Sequence, residues 1–335
     1  MSEIKVNNIT NYDGSSGPVL SGITTVSSTG YMTLPKGPTE YRGGRGRGIF
    51  AGGGTPNSNR IEYITISTTG NSKDFGDLST TNRSFGSFAS STRGLFFGGE
   101  PSNNRIEYIT ISATGSAFDF GDLLSSSQYT SGSSNQTRGL INSSYVSSAN
   151  SDRIEYVTIS NLGNSTEFGR LTQARRAMAT CASPTRSISV GGLTAADTNV
   201  MDYVTIATTG NAQDFGDLIN APWDAGGCSN STRGLFGGGQ IYPSPYPAVD
   251  VIQYITIASL GDAIDFGDLT VARAQVAACA SSSRGVWMGG DPGPSLSDRI
   301  DYVNIDTLGN AETFGNLIQA FSWGAGCSDV HGGLG

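Results

Sequence analysis

Few residues in this chain of 335 could do chemistry by type alone. There is one histidine, His331, near the C-terminus, and four cysteines, Cys181, Cys228, Cys279 and Cys327. A single histidine excludes a multi-histidine metal site and leaves any Ser/His/Asp triad with one candidate base. The cysteines recur at one place in a repeat, each preceding an Arg-Gly position by six residues in three copies. They are expected to be small buried residues on an inner strand, not disulfide or metal partners. No metal site and no cofactor are expected. Paired carboxylates for glycoside hydrolysis are available in the turns but recur in every copy, so they are expected to cap turns or to pair with the recurring Arg47, Arg93, Arg138, Arg186, Arg233 and Arg284. The chain is expected not to be an enzyme. Binding is the stronger expectation, and its residues are aromatic: Trp223, Tyr242, Tyr246 and Trp323. Exposed rings can stack on the apolar C–H faces of sugars while Asn and Ser hydrogen-bond the hydroxyls.

Those aromatics must be positioned by an internal repeat. Ile61-Glu62-Tyr63-Ile64-Thr65-Ile66 returns five times, with its tyrosine at Tyr108, Tyr156, Tyr203, Tyr254 and Tyr302, at spacings of 45, 48, 47, 51 and 48 residues. Asp74-Phe75-Gly76-Asp77-Leu78 follows and returns around Phe120, Phe168, Phe215, Phe266 and Phe314. Its Asp-Phe-Gly spells the metal motif of kinases, but repetition without a phosphate loop makes it turn chemistry. A third signature, Arg47-Gly48-Ile49-Phe50-Ala51-Gly52-Gly53, returns at Arg93, Arg186, Arg233 and Arg284, and at Arg138 with the diglycine replaced by Asn142-Ser143. The copy around Asn142 is therefore expected to be the weakest. A fourth element, rich in Ala, Ser and Phe, leads to the next Arg-Gly.

Four strand candidates per unit, six units and no amphipathic helix predict an all-β fold, a six-bladed β-propeller over residues 45–335. Within Ile61–Ile66, Glu62, Ile64 and Ile66 face one way and Ile61, Tyr63 and Thr65 the other, as a sheet packed on both faces requires. The ring begins at Arg47 on a Gly-Gly strand. The segment from about Ala320 to Val330 is therefore expected to complete the first blade as its innermost strand and remove an open edge. The loops after the Gly-Gly strands are expected to share a face with those leading into the inner strands. That face would carry Trp223, Trp323, Tyr242, Tyr246 and the loop from Asn142 to Asp152.

Composition agrees. The 47 glycines are roughly twice the usual share of about 7%, charged residues make up only 14%, and apolar residues 36%. The net charge is −8, and only Lys5, Lys36 and Lys73 among the 20 basic residues are lysine. Nucleic acid is an unexpected partner for such a chain, the Arg-Gly-rich stretch Tyr41–Gly48 notwithstanding. The N-terminus lacks a signal pattern and no apolar run is long enough to span a bilayer, so synthesis in the cytoplasm without membrane insertion is expected. Residues 1–44 lack the repeat. They alternate apolar and polar residues (Ile4, Val6, Ile9, Val19, Leu20, Ile23) and are broken by Gly and Pro. Too small to bury a core alone, they read as an extended attachment segment that pairs with another copy or docks on a partner, which makes a homo-oligomer the expected assembly.

Two resemblances follow from these residues. Leu269-Thr270-Val271-Ala272-Arg273, Val286-Trp287-Met288-Gly289-Gly290, Tyr302 and Phe314 resemble the kelch repeat, with Phe-Gly-Asp-Leu departing from the family's tryptophan. Ile4-Lys5-Val6-Asn7-Asn8-Ile9-Thr10-Asn11, Gly17-Pro18-Val19-Leu20-Ser21-Gly22 and Gly37–Gly46 resemble bacteriophage virion proteins, particularly those of phages of marine cyanobacteria. That resemblance implies a tail, neck or capsid fibre or adhesin, made in the host cytoplasm and displayed on the virion. Its N-terminal segment would dock on other virion proteins and its propeller would bind host surface polysaccharide or another virion protein. The rival expectations are a purely structural decoration or spacer and a glycan-cleaving enzyme.

Overall fold

The computed structural model describes residues 46–335 except Thr55, Ser244 and Gly335; the attachment segment, with Ile4, Val6, Ile9, Val19 and Leu20, lies outside the described residues. The described chain is a six-bladed β-propeller of antiparallel blades. Blade 2 can stand for the rest: inner strand Gly86–Ala89, second strand Arg93–Phe97, third strand Asn103–Thr110 and outer strand Phe118–Gln128. Blades 3 to 6 begin at inner strands Ser131–Ser134, Ala179–Ala182, Gly226–Ser229 and Ala277–Ala280.

Blade 1 is assembled from both ends of the ring, as expected. Strand Arg47–Ala51 pairs on one side with Arg60–Thr65 and on the other with Ala325–Ser328, with Ile49 opposite Cys327. The closing strand thus gives the first blade its innermost member and the ring no open seam.

The strand alternation read from the sequence holds. Ile61 and Tyr63 pack with Phe96, Ile109 and Ile111 of blade 2, whereas Ile64 and Ile66 pack with Val286, Met288 and Ile300 of blade 6. Each blade therefore donates apolar side chains to both neighbours, and the core is a series of wedges between blades.

Polar staples join the same blades. Each recurring arginine lies over the tyrosine of its own blade, at 4.6 to 5.1 Å from the ring centroid. Each also donates to a backbone carbonyl of the next blade: Arg47 to Ile111, Arg93 to Ile159, and so round to Arg284, which reaches Ile66 at 3.0 Å and closes the circle. The expectation that these arginines pair with turn carboxylates is corrected here. The guanidinium sits over the ring while one of its N–H groups meets a carbonyl, a geometry that needs no acid. The buried carboxylates do other work. Glu62, Glu107, Glu155, Asp202, Gln253 and Asp301 occupy one position and accept the backbone N–H that follows the preceding blade's leucine, as in Ile318 N to Glu62 at 3.0 Å and Ile219 N to Gln253 at 2.6 Å. Gln253 makes the bond without a charge, so an acceptor is what the position requires. The two blades with the shorter Asp also carry a buried arginine against it, Arg175 to Asp202 at 3.0 Å and Arg273 to Asp301 at 2.9 Å. The shorter side chain leaves room for the guanidinium that keeps the charge paired.

All four cysteines are buried and free on inner strands. Burial pushes their thiols up, Cys228 to about 12. Each sulfur fills the space left by the glycine of an Arg-Gly pair in the next blade. A Cβ on Gly234 would lie 2.5 Å from Cys181 Sγ, and one on Gly285 3.0 Å from Cys228 Sγ. Where that glycine becomes Ser187, the cysteine position becomes Ser133, and the two hydroxyls bond at 2.6 Å. In the remaining seam the Phe88 ring takes the cysteine's place against Gly139, so the contact recurs while its size and chemistry change.

The blade around Asn142 keeps its four strands despite the missing diglycine. The residues at the diglycine positions are Ser143 and Ser144, one place later than expected: Ser143 donates to Glu155 at 2.6 Å and Ser144 to Asn142 O at 3.2 Å, while Asn142 beside them donates to Ser189 Oγ at 2.8 Å. The loop that follows forms a short hairpin, Tyr145–Val146 with Ala149–Asn150, that adds to the lengthened outer strand of blade 2.

Candidate functional site: the two ends of the axial channel

Six inner strands converge on the axis, and only small residues fit there. Ser87, Gly132, Thr180, Gly227, Ala278 and Gly326 form a waist that borders a cavity on either side. Hydroxyls bridge adjacent inner strands, Thr180 to Gly132 O and Ser229 to Ala182 O, both at 2.7 Å.

One end is sealed by the C-terminal tail. Asp329 accepts the N–H groups of Gly46 and Arg47, at 2.8 and 2.9 Å, and turns the chain under the ring. His331 then enters the channel, where Nε2 meets Ala89 O at 2.7 Å and Nδ1 receives the N–H of Gly333 at 3.1 Å. The second bond makes Nδ1 an acceptor, so the proton lies on Nε2 and the ring is neutral. Burial holds the imidazole below its usual range. Gly332 and Gly333 lie against the backbone carbonyls of Asn230, Ala182 and Ser134, too close for any side chain. His331 thus ties the tail to the inner strand of blade 2.

The other end is open and built differently. In every blade the residue two positions before the inner strand has positive φ: Ser84, Tyr129, Ala177, Asp224, Gln275 and Trp323, between 52° and 58°. None is glycine, although this conformation costs an ordinary residue about 1 kcal/mol or more. Their backbones form a hydrogen-bonded chain around the mouth: Tyr129 N to Ser84 O, Ser84 N to Trp323 O, Trp323 N to Gln275 O, Gln275 N to Asp224 O and Asp224 N to Ala177 O, at 2.7 to 3.1 Å. The strained turns place six side chains around one axial pit of about 120 Å³.

The pit is polar and incompletely satisfied. Ser84 Oγ and Gln275 Oε1 are buried with no hydrogen-bond partner. Asp224 accepts only long bonds, from Gln240 at 3.3 Å and Trp323 Nε1 at 3.4 Å. Its desolvated carboxyl is pushed up to about 7. Outside the pit, Arg83 lies over Trp323 and pairs with Glu100 at 2.7 Å. Arg176 lies over Tyr145 and Tyr129, and bonds Asn150 at 2.9 Å.

The loops expected to share a face do so. Bridges join Trp223 to Gln240, Arg83 to Glu100 and Ser322 to Gly54, each linking an inner-strand lead to a Gly-Gly loop. Of the four aromatics singled out from the sequence, three meet. Tyr246 packs edge-on to Trp223 at 6.0 Å and beside Tyr242 at 6.2 Å. Tyr242 and Tyr246 are 57% and 41% exposed, and Trp223 Nε1 has no partner. Tyr242 N also bonds Asp197 of the neighbouring blade's loop. Trp323 does not join this shelf. It occupies the ring position, six residues after its leucine, whereas Trp223 comes five after and lies on the rim, with Asp224 linking the two sites.

Sequence reasoning missed Ser84, Tyr129, Asp224 and Gln275. The available signal was the residue six positions after Leu78, Leu123, Leu171, Leu218, Leu269 and Leu317, a place that differs in every copy. Among the described residues, no cluster of His, Cys, Asp or Glu could hold a metal ion, and no helix is long and apolar enough to cross a membrane. No protein-family model matches the chain, and no curated protein matches it.

Proposed function

We propose that this chain is a non-enzymatic virion protein of the fibre or adhesin kind. Residues 1–44 attach it to other virion proteins, and the open face of its propeller binds a host surface glycan. The observation that carries the binding half is the shelf on which the exposed rings of Tyr242 and Tyr246 meet the partly buried Trp223, beside a pit with unsatisfied polar groups. Proteins seldom leave such rings in solvent together without a partner, and sugars match an aromatic face bordered by hydrogen-bonding groups. The attachment half is supported by the N-terminal segment's resemblance to cyanophage virion proteins, and the kelch-like repeat suits a displayed scaffold whose loops do the binding. The non-enzymatic reading is supported by the pit's lining, where Asp224 is the one carboxylate among the described residues. Glycoside hydrolysis ordinarily requires two.

The test is a glycan array that includes polysaccharides from candidate hosts. Trp223→Ala and Tyr242→Ala are expected to weaken the signal at least tenfold while the melting temperature stays within about 2 °C, as for surface substitutions. A wild-type chain that binds no glycan and is locked between other virion subunits would establish the spacer role instead. Release of sugar fragments would overturn the non-enzymatic reading.

A further inference from the structure

The sealed end has a consequence for what the open end can hold. A linear polymer could thread a through-channel, but His331 and the two glycines behind it block this one. Only a chain end, or a free small molecule, can enter the pit. Its volume of about 120 Å³ is several times the ~30 Å³ share of a liquid water molecule, yet below the roughly 300 Å³ at which drug-sized sites begin. That is room for one ring.

The lining selects the kind of ring. Trp323 and Tyr129 border the pit with aromatic surface, and Val276 and Met178 add apolar contact. Between them stand a carboxylate, an amide oxygen and a hydroxyl, from Asp224, Gln275 and Ser84. The last two have no partner inside the protein, and Ser84 is only 6% exposed. Buried polar atoms without partners are rare, and a ligand that supplies the missing bonds gains what the empty site forgoes. These groups are chiefly acceptors, so the ligand must bring donors. A cation is disfavoured because Arg83 and Arg176, over Trp323 and Tyr129, already place two positive charges beside the pit. An anion would meet Asp224. A neutral molecule with several hydroxyls and an apolar face remains.

We infer that the axial pit binds the terminal residue of a neutral glycan, a pyranose whose hydroxyls donate to Asp224 and Gln275 while its C–H face rests on Trp323. This rests on the glycan-binding reading above and adds to it the place and the part of the glycan recognised. The shelf of Trp223, Tyr242 and Tyr246 would carry the residues that follow the chain end. The ring of positive-φ turns fixes the six side chains before the ligand arrives, which limits the ordering cost of binding.

The experiment uses the full chain with glycans identified on the array. Competition is measured with free methyl glycosides of glucose, galactose, mannose and N-acetylglucosamine, and binding is measured again after exoglycosidase trimming of the glycan's terminal residue. One methyl glycoside is expected to compete, trimming to abolish binding, and Asp224→Ala and Gln275→Ala each to weaken binding at least tenfold. Gln275→Ala leaves the Asp224 bonds intact and guards against a variant that fails to fold. If trimmed glycans bind as well as intact ones, or if both variants bind like wild type, the pit is not the site and the shelf alone binds. If wild type binds no glycan at all, the functional reading falls and this inference falls with it.

Discussion

The two ends of the channel are built on the same six inner strands, yet they solve opposite problems. At the sealed end the strands finish against a tail that supplies a partner for Ala89 O and brings two glycines against the carbonyls of three neighbouring strands. Among the described residues, no buried side-chain polar atom there lacks a partner. At the open end the strands begin from strained turns, and Ser84 Oγ, Gln275 Oε1 and Trp223 Nε1 lack partners. The contrast separates what the fold needs from what it spends. Packing is completed where the chain closes on itself, and polar capacity is left over where another molecule can reach.

The harshest way to break the comparison is to remove the closing strand. Deleting residues 325–335 takes away both the plug and the inner strand of blade 1, and exposes the edge of Arg47–Ala51 in the middle of a packed ring. The cluster between blades 1 and 2 would lose Ala325 and Cys327, and the cluster between blades 1 and 6 would lose Val330. Loss of the cooperative unfolding transition is expected, with aggregation through the freed edge. Deleting only residues 330–335 spares the strand. It is expected to leave a folded ring with its channel open at both ends, less stable by about 2 kcal/mol for the lost burial and hydrogen bonds. Denaturant unfolding of both truncations checks this. A cooperative transition of wild-type midpoint in the longer deletion would show that the ring does not depend on its closure.

A gentler pair of substitutions sharpens the same contrast. Gly333→Ala places a methyl group against Ser134 O and the His331 ring. The tail must then shift or undock, at a cost of about 1 to 3 kcal/mol. Gln275→Gly, at the open end, removes a side chain that holds no structural partner and relieves a positive φ of 58°. Relief of strain and the greater freedom of the unfolded glycine nearly offset each other, so stability is expected within about 0.5 kcal/mol of wild type. Equal losses at the two ends, measured by urea unfolding, would contradict the division between structural and binding ends.

How much of this was legible in the sequence follows from the same division. The recurring residues carry the fold: Tyr63 with Phe75, Arg47 over Tyr63 and Glu62 beneath the preceding blade are repeated because each seam repeats. Periodicity therefore yielded the blades, the closure and the burial of the cysteines. The pit was not legible, because it is lined from positions that do not repeat, such as those six and seven residues after each leucine, and sequence similarity is silent there. Trp323 was picked out by residue type, and its separation from Trp223 by one place in the blade was lost because a loop gives no periodic signal. The roles of the recurring arginines were misassigned for a related reason. A guanidinium's partner is fixed by geometry across two blades, and an abundance of nearby acids in the sequence is no guide to it.

The smallest effects should appear in the dependence of stability on pH, where the two ends oppose each other. Asp224 is an acid raised to about 7 from 3.8. Between about pH 4 and 7 the unfolded chain has lost a proton that the folded chain keeps, so stability falls as pH rises through that window. His331 is a base held below 6.5. Below pH 6.5 the unfolded chain gains a proton that the folded chain refuses, so stability falls as pH drops. Over the shared range the slopes have opposite signs, and the wild-type profile between pH 4 and 6.5 is expected to be shallow. Asp224→Asn removes the first slope and leaves stability rising with pH up to 6.5. His331→Asn removes the second and leaves it falling from pH 4 to 7. The slope unmasked in His331→Asn should amount to about 1 to 2 kcal/mol across its window, once the partial exposure of Asp224 is discounted. Urea midpoints of the three proteins at half-unit steps of pH measure it, and two variants with parallel profiles would refute the opposed titration of the two ends.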